Sequence, residues 1–271
     1  MTEEFILVSR KKKGKGKGRS GIPFSPASVE LLKESSGGAD VDSIFCSVLQ
    51  CKSDLLNSKF YQIVTGFLSG RVKSFSWTDG SGVPLISYGL GHLSSYVSRY
   101  QLALALLWRD QANLVSEISA FDPLWTQADR GILEKFRISV LSENDYGFRA
   151  CRLNGGPSLV YMPHCGRPLY NNLLYSNWSK DCLKHLLLIG NSLPQIADRL
   201  SPSERDQLIH LQRATQLVTV DMFPEFPEAS EAFNDLALHS FLPDTLNRIE
   251  DPEFWTSKAP VYESDLRTEI L

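Results

Sequence analysis

Several residues in the middle of this chain stand where an α/β protein would do chemistry. Gly89 and Gly91 flank Leu90 directly after the apolar run Val83–Tyr88. Small residues there let the backbone approach a phosphate or nucleotide, and a following helix start offers free N–H donors. Asp122 ends the run Leu114–Phe121 and could take ribose hydroxyls, although it comes 31 residues after Gly91. A dinucleotide site places that acid roughly 20 residues on. Glu143 and Asn144, followed by Asp145, could read a ribose or base edge after Ile138–Leu141. His164 and Cys165 follow Leu159–Met162, and a base beside a thiol suggests nucleophilic catalysis. Asn191 and Ser192 follow Leu186–Ile189 across Gly190.

Each feature has a plainer structural reading. Two glycines can serve a tight strand-to-helix turn that binds nothing, and Asp-Pro is itself a turn signal. The dinucleotide fingerprint wants a third glycine where Ser94 stands. The methyl-transfer loop that holds S-adenosylmethionine wants a glycine at Leu93 and an acid near Ser87. S-adenosylmethionine or a dinucleotide therefore remain the two cofactors to consider, on weak motifs. Cys165 has no identifiable third catalytic group. His164, Cys165, Cys182 and His185 are not spaced as a usual zinc set, so no metal is expected.

The elements that must carry these residues read as a parallel sheet. Strands buried on both faces look continuously apolar, and ligands bind beyond their carboxyl ends. Strands are expected at Val83–Tyr88, Leu114–Phe121, Ile138–Leu141, Leu159–Met162 and Leu183–Ile189. Helices are expected between them at about Ser94–Gln111, Thr126–Phe136, with Thr126 as its cap, and Leu169–Trp178. Beyond Asn191, helices at Leu193–Leu200 and Pro202–Thr215 precede two strands, Gln216–Met222 and Ala232–Leu242. The expected fold class is α/β, a three-layer Rossmann-like arrangement. Its mostly parallel sheet ends in an antiparallel C-terminal edge pair, as in the methyltransferase-like variant.

Four regions are expected. Residues 1–24 form a basic tail without a core of its own, and 25–75 supply helices that pack on the core. The first of those starts at Ser25-Pro26 and holds Val29, Leu31 and Leu32; Gly70 marks their end. Residues 76–245 form the Rossmann-like domain, and 246–271 form a loose acidic tail. Seven of the 28 basic residues lie between Arg10 and Arg19, leaving 21 basic against 31 acidic elsewhere, a balance of −10. An acidic body argues against a broad nucleic-acid face, while the Arg10–Arg19 stretch allows a weak nucleic-acid contact or nuclear import. The longest apolar run, Leu102–Trp108, is far short of the roughly 20 residues of a membrane span. Without an export signal, the five cysteines read as reduced thiols in the cytoplasm or nucleus.

One combination of tips is familiar. Phe121-Asp122-Pro123, Val140-Leu141-Ser142-Glu143-Asn144 and Tyr161-Met162-Pro163-His164-Cys165 occur in order. Leu169-Tyr170-Asn171-Asn172-Leu173-Leu174, Asn177-Trp178 and Ile189-Gly190-Asn191-Ser192 follow. This series resembles the sensitivity-to-red-light-reduced family over roughly residues 80–240. The resemblance implies a regulatory protein, tied to circadian-clock gene expression, haem-biosynthesis control and, in fungi, microtubule stability. It implies protein partners and brings no established reaction. The matching tips then mark a shared pocket. The alternative readings are an S-adenosylmethionine-dependent methyltransferase or other nucleotide-binding enzyme, and a nucleic-acid-associated protein working through its basic tail.

Overall fold

Alternation of strands and helices is what the chain adopts. In the computed structural model, residues 37–74, 82–151, 156–256 and 258–270 are described. Helices α1 (Gly37–Leu56) and α2 (Lys59–Ser74) come first. Then follow β1 (Val83–Tyr88), α3 (Tyr96–Asp110), β2 (Val115–Phe121), α4 (Gln127–Lys135), β3 (Ser139–Val140) and β4 (Ser158–Met162). Helix α5 (Arg167–Ser176) and the single turn α6 (Lys180–Leu183) lead to β5 (Leu186–Asn191). Three short helices, α7 (Leu193–Asp198), α8 (Pro202–Gln207) and α9 (Ile209–Ala214), lead to β6 (Val218–Met222). Helix α10 (Ser230–Phe233) precedes β7 (Leu236–Phe241), and α11 (Pro243–Asn247), α12 (Pro252–Trp255) and α13 (Ser264–Thr268) follow it. The basic Arg10–Arg19 stretch and the helix expected from Ser25 lie outside the described residues.

The sheet has seven strands in the order β3-β2-β1-β4-β5-β7-β6. All pairings from β3 to β5 are parallel, whereas β7 runs antiparallel to both β5 and β6. The chain therefore has the three-layer α/β class, the mostly parallel sheet and the antiparallel C-terminal pair, with β7 reversed inside it and β6 at the edge. Central strands are apolar because both their faces are covered: every residue of β4 and β7 is buried. The edges are blunted. Strand β3 has two residues, and no residue of β6 is fully buried.

Two cores flank the sheet. Leu85, Tyr161, Ile189 and Leu238 point toward α1 to α4, while Ile86, Val160 and Leu188 point toward α5, α7 and α9. Helix α3 is buried from Gln101 through Trp108, since the sheet lies on one side and α1 and α2 on the other. Trp108 donates its indole N–H to Thr65 Oγ1 of α2 at 3.2 Å. Thr126 caps α4 as expected. Its hydroxyl accepts the Asp129 N–H, and the Asp129 carboxylate accepts the Thr126 N–H, a capping box.

Several boundaries differ from the expectation. Leu183 ends α6, and β5 starts at Leu186, because Ser179 caps a helical turn by accepting the Cys182 N–H. The helix expected over Pro202–Thr215 breaks at Leu208, whose φ −107 and ψ 41 leave the helical region while its side chain is fully buried. Ala232 and Phe233 belong to α10, not to a strand. Phe233 packs against Phe60 and Phe226, and Asp235 at φ +59 turns the chain into β7. Gly70 does not stop α2, which runs on to Ser74. The segment past Pro243, expected to be loose, packs on the α5 side. Leu246, Tyr262 and Leu266 are buried, and Glu269 pairs with Arg167. Among the described residues no helix is long and apolar enough to cross a membrane.

Candidate functional site

Strand β1 has β2 on one side and β4 on the other, so the winding of the sheet reverses between β1 and β4. A crevice opens at such a point beyond the carboxyl ends of the strands. A cleft of about 220 Å³ lies there. Gly89, Gly91, Asp122, Asn144, His164 and Cys165 all line it.

The loop after β1 is shaped by its neighbours. Gly89 and Gly91 adopt φ +70 and +73, the left-handed region that favours glycine. A Cβ on Gly89 would lie 2.6 Å from Cys165 Sγ, so the loop packs directly on the β4 tip. Gly91 donates its N–H to Asp122 Oδ2 at 2.6 Å, and Leu124 donates to Oδ1 at 2.8 Å. Leu93 donates its N–H to Asp129 Oδ1 at 2.9 Å. The Trp125 indole donates to the Gly91 carbonyl at 2.9 Å. Burial alone would raise the Asp129 carboxyl, but bonds from Thr126, Leu93 and His92 outweigh it and hold the pKa below the usual value. Two carboxylates thus clasp the loop through charge-assisted hydrogen bonds.

The β4 tip holds the base and thiol. His164 is exposed at φ +54, and its Nε2 meets the Glu231 carbonyl at 3.1 Å, so that nitrogen is the donor. The Cys165 thiol donates to the Tyr88 carbonyl at 3.4 Å. Burial, with the Asp122 charge added, pushes its pKa far above the usual thiol value. A protonated thiol is a poor nucleophile. Cys182 and His185 precede β5, whereas His164 and Cys165 follow β4, and these strands run parallel. The two pairs sit at opposite ends of the sheet, about 15 Å apart by strand rise alone. No group of three or more His, Cys, Asp or Glu among the described residues could hold a metal.

Of the expected residues, Glu143, Asn191 and Ser192 fall outside the cleft wall. Glu143 is exposed beside it, while Asn144 Oδ1 accepts the Tyr146 N–H at 2.9 Å. Asn191 donates its N–H to the Tyr170 hydroxyl at 2.9 Å. Ser192 is buried and caps α7 by accepting the Gln195 N–H. These two are spent on holding the β5 tip.

Three residues were missed, Arg149, Glu269 and Ile270. Arg149 donates to both the Tyr88 hydroxyl and Asp145 Oδ2 at 2.7 Å, which ties the loop after β3 to the end of β1. Glu269 and Ile270, about a hundred residues beyond the other walls, close one side of the cleft. They are held by Arg167, whose side chain grips Glu269 and also reaches Glu204 Oε1 at 2.7 Å.

The Tyr170-Asn171-Asn172 run proves to be a set of fasteners. Tyr170 donates its hydroxyl to the Met162 carbonyl and receives the Asn191 N–H. Asn171 Oδ1 accepts the amides of His210 and Leu211, both at 3.0 Å. Asn172 Nδ2 donates to the Tyr146 carbonyl, and its Oδ1 accepts the Tyr262 hydroxyl at 2.6 Å. Asn177 Oδ1 accepts the Cys151 N–H and its Nδ2 donates to the Arg149 carbonyl, each at 2.8 Å. Each of these side chains is almost wholly buried, and buried polar groups are placed by the partners they satisfy.

Comparison with known proteins bears on this arrangement. A mouse SRR1-like protein is 42% identical over 125 residues, 45% of this chain and 49% of the mouse protein. The SRR1-like protein of Drosophila melanogaster is 29% identical over 187 residues, 68% of this chain and 65% of its own length. Protein SENSITIVITY TO RED LIGHT REDUCED 1 of Arabidopsis thaliana is 33% identical over 164 residues, 58% of each chain. The chain thus spans about half to two thirds of the length of these relatives. A solved structure, the SAH-bound methyltransferase PaMTH1 of Podospora anserina, superposes with a TM-score of 0.38 and 12% identity, covering 83% of this chain and 99% of that one. The SRR1 domain model matches residues 76–240, well over half of the sequence and all seven strands but for the last residue of β7, and the chain belongs to the SRR1 domain family.

Proposed function

We propose that this chain is a regulator that acts through protein partners, with the cleft serving to sense a ligand and not to turn one over. The observation that carries this reading is how the cleft's thiol and base are held. The Cys165 thiol is held protonated, and His164 Nε2 faces a backbone carbonyl, while Asp122 is fixed in place by two of the chain's own amides. A general base or nucleophile needs a free group within reach of a proton or an electrophilic centre. Membership of the SRR1 family supports a regulatory role. The name of the Arabidopsis relative points to red-light responses. Circadian-clock gene expression and haem-biosynthesis control, in the cytoplasm and nucleus, are the processes this reading assigns to it.

A second reading, an S-adenosylmethionine-dependent methyltransferase or other nucleotide-binding enzyme, is favoured by the strand order with its reversed β7. A thermal-shift screen with S-adenosylmethionine, S-adenosylhomocysteine, NAD, NADP, nucleotides and haem separates the two. A ligand at 100 times its dissociation constant stabilises by about 2.7 kcal/mol. Stabilisation without turnover supports the sensing reading. A methylated or otherwise converted product overturns it. A nucleic-acid role for Arg10–Arg19 would instead show as binding that weakens steeply with salt and vanishes when the stretch is deleted.

A further inference from the structure

The cleft is poor in positive charge. The two loop amides that a phosphate would use are already engaged, Gly91 N–H by Asp122 and Leu93 N–H by Asp129. No lysine or arginine is among the described residues that line it, whereas Asp122 and Glu269 both do. The Glu269 carboxylate pairs with Arg167, which it shares with Glu204, so with Asp122 the wall is negative. A phosphate bound here would face that wall with no counter-charge.

The same wall suits hydroxyl donors. A carboxylate has about four acceptor positions, and the chain uses two of those on Asp122. Asn144 commits its Oδ1 to Tyr146, which leaves its Nδ2 group as a donor at the cleft wall. Phe121, Leu124, Leu169 and Ile270 supply apolar surface for a flat ring. A volume of about 220 Å³ lies below the roughly 300–1,000 Å³ of pockets for drug-sized ligands, which favours a small ligand over two nucleosides joined by a pyrophosphate.

We infer that the cleft takes a phosphate-free nucleoside, with its ribose diol on Asp122 and its base edge on Asn144. The inference rests on the reading of the cleft as a ligand site, and it narrows the ligand from nucleotides in general to this class. Adenosine is the probe. The acid at the end of a second strand is a known partner of ribose hydroxyls; what is particular here is that the same acid blocks the phosphate position.

Isothermal titration of the full chain with adenosine, AMP and 2′,3′-dideoxyadenosine tests it. Adenosine should bind; dideoxyadenosine should bind at least about tenfold more weakly, the loss of hydrogen bonds to a charged group, and AMP at least about tenfold more weakly because its phosphate meets a negative wall without a counter-charge. Asn144→Ala should weaken adenosine by a similar factor. Asp122→Asn should abolish the preference for adenosine over its dideoxy form. If that variant does not fold, the three ligands on the unaltered chain still decide the matter. AMP binding as tightly as adenosine, or dideoxyadenosine doing so, overturns the inference and leaves the ligand site standing. No response to any nucleoside, nucleotide or haem removes the ligand site and the inference together.

Discussion

Asp122 Oδ2 accepts the Gly91 N–H at 2.6 Å, so the acid ending β2 and the glycine loop after β1 are one structural unit. Asp122 is almost wholly buried, and its second oxygen holds Leu124 N–H. Asp122→Ala should therefore strand two amides and cost about 2–4 kcal/mol in urea unfolding. Asp122→Asn keeps one acceptor and should recover part of that. An alanine variant as stable as the parent would show that the clasp contributes nothing.

Gly89 and Cys165 should be coupled. Gly89→Ala forces a side chain into the left-handed region, costing roughly 1–2 kcal/mol, and drives Cβ into Cys165 Sγ. The single variant should lose about 2–4 kcal/mol in all. Removing the sulfur with Cys165→Ala should relieve the overlap and leave only the backbone strain. A double-mutant cycle by urea unfolding should return a coupling of at least about 0.5 kcal/mol. Additive effects would mean the two tips are not in contact.

Stability should fall on mild acidification. His239 Nδ1 donates to the Leu188 carbonyl and its Nε2 accepts the Leu193 N–H, so the ring is neutral. Burial lowers its pKa to about 4, and burial with Arg213 does the same to His210. The unfolded chain protonates both near pH 6.5. The contribution is complete above that value, falls as pH drops through it, and is gone below about pH 4. The loss is about 3 kcal/mol per histidine over the whole window. Urea unfolding between pH 7.5 and 4.5 measures the slope, which His239→Gln should roughly halve. A flat profile for the parent chain would contradict the buried neutral rings.

Arg167 should govern the C-terminal wall of the cleft. Its guanidinium and backbone N–H bind Glu269, and Nη1 binds Glu204. Arg167→Ala should cost about 1–2 kcal/mol and raise amide hydrogen exchange over residues 264–270 while α5 stays protected. Arg167→Lys should recover little, since an ammonium lacks the planar fork. Unchanged exchange in the lysine and alanine variants would show that Tyr262 and Leu266 anchor the segment unaided.

Legibility in the sequence followed the range of the forces involved. Strand β1 lies at Val83–Tyr88 as expected, because a strand covered on both faces is written as one apolar run. Thr126 was readable as a cap because its partner, Asp129, is three residues away. The break at Leu208 was not readable. It answers to Asn171, which takes the amides of His210 and Leu211 from a different helix. The packed C-terminal segment escaped notice for the same reason, since its acidic composition says nothing of Arg167 waiting about a hundred residues earlier.

Local composition alone determined the α/β class, the order of the strands along the chain and the tight strand-to-helix turn at Gly89 and Gly91. Those depend on periodicity and on the steric freedom of single residues. Only the folded chain decided that Asp122 turns toward Gly91, that Ile270 walls the cleft, and that His164 and Cys182 face opposite ends of the sheet. Such pairings join residues tens of positions apart. Each is selected by which buried polar group or charge would otherwise go unsatisfied, a condition set by packing in three dimensions.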